Sequence, residues 1–252
     1  MNLILLDERD GVGSPHVTVS DGRAAHLLNV LHVTPGREVR VGLLDGPLGM
    51  GRVLSAADGR VTMQCVFDAD IPPRPRVDVL LALPRPKVMQ RLWAQLAALG
   101  VGRIILTNAE RVERHYFDTH VLDEACYRPL LVEGLQQARD TRLPAVSIHR
   151  QLKVLVEDHL DTLFSAGLRL AAHPGGTTSA GSMVREHPDQ RVLIAIGPEG
   201  GWNAFELALL EAHDFRQISF GPRALRVDTA CTALLAIVHA AIEEQQKPPR
   251  DA

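Results

Sequence analysis

The chain has 252 residues, 46% of them hydrophobic and 23% charged, with a formal net charge of −3. This is globular composition, enough for one large domain or two smaller ones, and without the basic excess of a protein that binds nucleic acid over its whole surface. It also excludes several classes: no apolar run reaches the ~18 residues of a membrane span, the opening MNLILLDERDG is wrong for a secretory signal, and Cys65, Cys126 and Cys231 are too few and too scattered for a disulfide framework or a zinc site, so a cytoplasmic protein without a metal is expected.

The first 70 residues read as strands and turns. HVTVS (16–20), REVRVGLLDG (37–46), GMGRVLSA (49–56) and GRVTMQCVF (59–67) alternate in the manner of strands and are separated by Asp-Gly and Pro-Gly pairs. One helix, DGRAAHLLNVLHV (21–33), interrupts them, which suggests a small β-barrel over 1–70. Residues 71–76, IPPRPR, can neither continue a helix nor sit in a central strand and form a linker.

Beyond the linker, strands alternate with helices. VDVLLALP (77–84) is an apolar strand, Pro86 suits the first turn of the following helix, and Gly100 would end that helix. RIILTN (103–108), LRLAAH (168–173), VLIAI (192–196) and ISF (218–220) are further strands; 118–137 and 228–244 are helices, the latter with Asp228 as its cap. Trp93 and Leu96 read as core. Continuous apolar strands between helices mean an α/β domain over 77–246, its parallel sheet covered on both faces. Residues 247–252 form a tail.

The stretch IGPEGGWNAFE stands out. A buried strand ends in Gly197-Pro198-Glu199-Gly200-Gly201, and Asn203 with Glu206 three residues on makes a capping box for the next helix. Glycines let backbone approach a ligand closely, and ligands bind beyond the carboxyl ends of parallel strands. GxGxxG and the Gly-Lys-Ser/Thr of a phosphate loop are both absent. A second strand ends the same way in FGPRALRVDTA, residues 220–230, and a third in AAHPGG, residues 171–176. The two Gly-Pro loops are expected side by side.

These stretches resemble the signature of the SPOUT methyltransferases, and most closely the RsmE family, which methylates uracil N3 in small-subunit ribosomal RNA. HLLNVL with GREVRVGLLDG resembles that family's PUA-like barrel, LALPRPKVMQRLWAQLAALGV the opening of its catalytic domain, and QQARDTRLP its stretch of Gln and arginines before a proline. The chain departs from the family at Asn29, His32, Gln95 and Ala98, and has Asp228 where a Glu is usual. The resemblance implies a C-terminal deep trefoil knot, bound S-adenosylmethionine (SAM), a homodimer, and 16S ribosomal RNA or the small subunit as partner. It implies a cofactor wall of Ala172, His173, Ile196, Gly197, Pro198, Gly200, Gly201, Phe220, Gly221, Pro222, Leu225 and Arg226.

Uracil N3 carries a proton, so transfer needs that proton removed and the developing anion stabilised. By resemblance Arg226 is the first candidate for the stabilising cation, with Arg223 behind it. Glu199 either takes the proton, binds the methionine amine, or is a loop acid favoured at a helix N-terminus. Arg9, Arg23, Arg85, Lys87, Arg139 and Arg142 are the RNA-contact candidates, although residues 1–70 hold only six arginines against nine acids. Two alternatives stay open: a SPOUT enzyme acting on another RNA or base, and a non-catalytic RNA-binding assembly module.

Overall fold

The computed structural model describes residues 3–219, 221 and 223–246, which divide into two compact units. The first comprises residues 1–74 together with Pro129–Leu143. Its sheet is built from β1 (Ile4–Leu6), β2 (Val17–Val19), β3 (Glu38–Leu43), β4 (Leu48–Ala57) and β5 (Arg60–Phe67) in the order β1-β3-β4-β5-β2, antiparallel except for β1 beside β3. Helix α1 (Gly22–Asn29) is shorter than its sequence suggests, because the helical hydrogen bonds stop at Val30. Its cap is Asp21, whose side chain accepts from Arg23 N–H. Val17, Val19, Leu27, Val41, Val53, Val61 and Met63 form the core, each at most 2% exposed. Burying one such side chain contributes about 1.5–3 kcal/mol.

The sequence boundaries place Pro129–Leu143 in the second domain, but the chain binds it into the first unit. Thr141 is fully buried there, its hydroxyl donating to Gly46 O at 2.6 Å while its carbonyl accepts from Asp45 N at 2.7 Å. A Cβ on Gly42 would sit 2.7 Å from the Thr141 methyl, so the close fit needs glycine there.

The second unit, Pro75–Arg128 with residues 144–252, is α/β. Seven parallel strands run in the order β10-β12-β9-β11-β6-β7-β8, formed by β6 (Val77–Ala82), β7 (Val101–Thr107), β8 (Ala145–His149), β9 (Leu168–Ala172), β10 (Thr178–Ser179), β11 (Val192–Ile196) and β12 (Arg216–Ser219). Every residue of β6 and β11 is buried, as strands covered on both faces require. Helix α2 (Pro86–Ala98) starts at its proline and is ended by Gly100 at φ 71°. It buries Trp93 completely: the indole donates to Val121 O at 3.1 Å and stacks on Tyr127.

The helix expected at 118–137 is α3 (Glu124–Ala138); two 3-10 turns precede it, because Thr119 and Asp123 are extended. Short helices α4 (Leu152–Val154) and α5 (Leu160–Leu163) flank a π-turn, and α6 (Ala180–Glu186) and α7 (Ala204–Ala212) follow strands β10 and β11. Helix α8 (Val227–Gln246) packs on α2, α6, β6 and β11. Asp228 lies inside its first turn, not before it. No helix among the described residues is long and apolar enough to cross a membrane.

Candidate functional site

Strands β12, β9 and β11 are neighbours, with Ala171 paired to Ala195 on one side and to Gln217 on the other. Their carboxyl ends therefore deliver three loops to one edge of the sheet, described over residues 173–177, 197–203, and 221 with 223–226. Strands β11 and β12, which carry the two Gly-Pro loops, are not neighbours; β9 runs between them, so the His173 loop starts between the two.

Ala172, half-buried, closes β9. His173 N–H donates to Ile218 O at 3.0 Å, and its carbonyl accepts from Gly176 N at 3.0 Å. Its Nδ1 accepts from Gly175 N–H at 3.1 Å, so a neutral ring carries its proton on Nε2. A Cβ on Gly176 would lie 2.6 Å from the Ile218 carbonyl carbon, so the two chains meet there only because residue 176 has no side chain.

In the second loop Ile196 and Pro198 are buried, and Gly201 N–H closes a turn on Pro198 O at 2.7 Å. The capping box forms: Asn203 Oδ1 accepts from Glu206 N, and Glu206 Oε2 accepts from Asn203 N, both at 2.8 Å. The other Glu206 oxygen accepts from Glu110 N at 2.7 Å, and the residue is only 4% exposed. One buried carboxylate thus ties the loop after β7 to the loop after β11. Arg111 makes a second tie, donating to Gly200 O and lying over Gly200 where any Cβ would meet its Cδ. Trp202 is buried with its indole against Gly197. Glu199 is exposed, with one carboxylate oxygen 3.4 Å from Arg85 N at the foot of α2.

In the third loop, Ser219 Oγ accepts from Gly221 N at 3.2 Å and donates to Gly221 O at 3.3 Å, which holds Gly221 at φ 130°. Phe220 and Pro222 lie outside the described residues. Leu225 is half-buried; Arg223 and Arg226 are exposed. Arg226 O accepts from Ala230 N at 2.8 Å, which fixes its backbone at the start of α8. Burial pushes the Asp228 carboxyl up, but the Thr229 N–H, Arg91 at 3.2 Å and the charge of Arg226 together hold it below its ordinary value. A cleft of 440 Å³ opens beside the first and third of these loops, lined among others by Gly176, Thr178, Ser179, Ser219 and Gly221. A Cβ on Gly201 or Gly221 would meet nothing within 4 Å, so both glycines border open space. A rim of small residues and backbone groups of this kind suits a flat cofactor such as SAM.

The RNA-contact candidates are placed unevenly. In the second unit Arg85 and Lys87 are exposed at the start of α2. In the first unit Arg139 is exposed at φ 61°, and Arg9 is exposed but paired with Asp7. Arg142 donates to Asp45 O at 2.9 Å. Arg23 is enclosed: its guanidinium donates to Leu5 O at 2.6 Å, to both oxygens of the buried Asp10, and to Asp21, and these carboxylates outweigh burial to raise its pKa. The roles of Arg111 and Glu206 as ties between loops were not read from the sequence. The signal that existed was a charged run, NAERVER, directly after an apolar strand.

A sequence profile of an RNA methyltransferase domain matches residues 72–239. The chain belongs to this RNA methyltransferase family. The methyltransferase is 29% identical over 245 residues to the ribosomal RNA small subunit methyltransferase E of Treponema pallidum, covering 94% of this chain and 90% of that one. It is 24% identical to the ribosomal RNA small subunit methyltransferase E 1 of Borreliella burgdorferi, over 92% of this chain and 95% of that one. Its fold is shared with the ribosomal RNA small subunit methyltransferase E of Neisseria gonorrhoeae, solved bound to S-adenosyl methionine: TM-score 0.75 at 21% identity, covering 95% of this chain and 97% of the other.

Proposed function

We propose that this RNA methyltransferase uses SAM to methylate N3 of a specific uridine in 16S ribosomal RNA. The observation that carries the reading is the convergence of three glycine-bearing loops at the ends of β12, β9 and β11. It occurs in a chain similar along nearly its whole length to small subunit methyltransferases E. When bound, SAM supplies an electrophilic methyl on a sulfonium.

The chain's own residues do the rest. Gly201 and Gly221 leave room for the cofactor, Gly197 and Gly200 offer it backbone groups, and Gly176 lets the β9 loop close on β12, while Ala172, His173, Ile196, Pro198 and Leu225 form its wall, with Phe220 and Pro222 assigned there by resemblance. Arg226 stabilises the anion that develops on the uracil carbonyls, and Arg223 is the alternative. Glu199, exposed at the loop tip, takes the N3 proton or holds the methionine amine. Fixing these groups on rigid strand ends supplies positioning, the main requirement of an in-line transfer.

The same reading makes the first unit a PUA-like RNA-binding domain and gives the second unit a trefoil knot. Residues 71–76 serve as linker, and the enzyme works as a cytoplasmic homodimer. RNA phosphates meet Arg85, Lys87, Arg9 and Arg139. Arg23, already neutralised by two carboxylates, serves the fold instead.

The test is incubation of the purified protein with labelled SAM and small ribosomal subunits lacking uracil-N3 methylation, followed by mass spectrometry of the digested RNA. N3-methyluridine at one position is the expected result. SAM binding without transfer to any site in the subunit would overturn the substrate assignment.

A further inference from the structure

A second cleft, of 260 Å³, lies between the loop after β7 and the start of α7. Glu206 and Arg111 hold its walls to the loop after β11, so it adjoins the candidate cofactor edge. Its apolar base includes Leu152 and Leu209, each under a tenth exposed. The half-buried Asn108 lines it, and its side-chain oxygen is enclosed and has no hydrogen-bond partner. Phe205 in the lining is 62% exposed; the exposed cations Arg114 and Lys153, the latter 3.9 Å from Glu157, share the lining with Glu110 and the already bonded Glu206.

Each feature is costly or idle for the fold alone. A largely exposed phenyl ring forgoes most of its burial energy. A buried amide oxygen without a partner carries a desolvation penalty. Together they match the chemistry of one unpaired nucleotide: an aromatic face to stack on, an amide to read a base edge, and cations for the adjoining phosphates. The volume falls below the ~300–1,000 Å³ of pockets for drug-sized ligands, which favours a single base over an extended ligand.

We infer that this cleft holds a nucleotide flanking the target base, stacked on Phe205 and read by Asn108, with its phosphates at Arg114 and Lys153. The inference rests on the RNA methyltransferase reading and deepens it. Single-stranded RNA is anchored here while the target base enters the cofactor edge, so a base turned out of its stack is held by a neighbour also removed from pairing.

The test uses the full-length protein. Transfer to small ribosomal subunits is measured for wild type and for Phe205→Ala, Phe205→Trp, Arg114→Ala and Lys153→Ala. Binding to protein-free 16S RNA, SAM affinity by calorimetry and melting temperature are measured alongside. Phe205→Ala is expected to raise the KM for subunits and the Kd for RNA about tenfold, the equivalent of about 1.4 kcal/mol. Turnover at saturation, SAM affinity and melting temperature stay unchanged, and Phe205→Trp restores binding. Arg114→Ala and Lys153→Ala each reduce the salt dependence of RNA binding by about one unit of slope. If wild type methylates RNA and Phe205→Ala binds it within twofold of wild type, the inference fails and the function stands. A defect seen with subunits but absent with protein-free RNA would assign the cleft to a ribosomal protein and overturn it as well. A wild type that binds SAM but neither RNA substrate would remove both readings.

Discussion

Glu206 offers a direct measure of how the loops are held. Its two oxygens accept from Glu110 N at 2.7 Å and Asn203 N at 2.8 Å, inside a site that leaves the residue 4% exposed. Hydrogen bonds to a charged acceptor are worth roughly 1.5–3 kcal/mol each, and a buried donor left unpaired carries its own desolvation cost. Glu206→Ala removes both bonds and orphans both donors, for a loss of roughly 3–5 kcal/mol. In a unit of this size that corresponds to a fall of about 6–20 °C in melting temperature. Glu206→Gln keeps one acceptor oxygen and should lose about half as much. The same substitutions free residues 197–203 from the loop after β7, so SAM affinity should fall in the order wild type, Gln, Ala. Scanning calorimetry and SAM titration give both quantities on the same samples. A melting shift under about 3 °C for Glu206→Ala, with SAM affinity unchanged, would refute the idea that this carboxylate clamps the two loops.

Other substitutions probe separate parts. Arg226→Ala should abolish methyl transfer while SAM binding, read by calorimetry, persists; an active variant would end its proposed role. Gly176→Ala forces a methyl to within 2.6 Å of the β12 backbone, so it should cost about 1–3 kcal/mol in denaturant titrations and weaken SAM binding. Arg23→Ala strips the partner from the buried Asp10 and should destabilise the first unit by about 3 kcal/mol, measured by hydrogen exchange in β1 and α1. Arg23 also holds the Asp21 carboxyl below its ordinary 3.8 against the opposing effect of burial. A depressed folded value means this stabilisation is complete above 3.8 and disappears as pH falls below it, so Arg23→Ala should flatten the acid limb of the stability profile.

What could be read in advance followed how strongly each element is patterned. Strand β11 is an uninterrupted apolar run, and β6 is one but for Asp78, buried against Arg191 at 2.7 Å; both faces of each are buried, and both were legible. So were the proline start of α2 and the Asn203–Glu206 box, which are local rules acting within one turn. Strand β8 was not: it pairs only with β7 at the sheet edge, none of its residues is fully buried, and AVSIH carries little hydrophobic signal. Strand β10, two residues long, has no period to detect. At the site, the glycine loops announced themselves, but their order across the sheet did not, because strand order is set by crossovers and not by adjacency in sequence. Glu206 was visible as a cap, yet its second partner, Glu110, lies 96 residues away and leaves no trace in any local window.

The closure of the first unit by Thr141 bears on how the protein is made. Its first 74 residues leave the ribosome long before their last structural piece, Pro129–Leu143, has been synthesised. Until then Asp45 N–H and Gly46 O lack the partners that Thr141 brings. Vectorial synthesis completes domains from the N-terminus onward only where a domain is one continuous stretch. Here the N-terminal unit stays unfinished while β6 and β7 are already translated, so a nascent chain stalled between β7 and Pro129 should leave the first unit open to protease, and one stalled well past residue 143 should protect it.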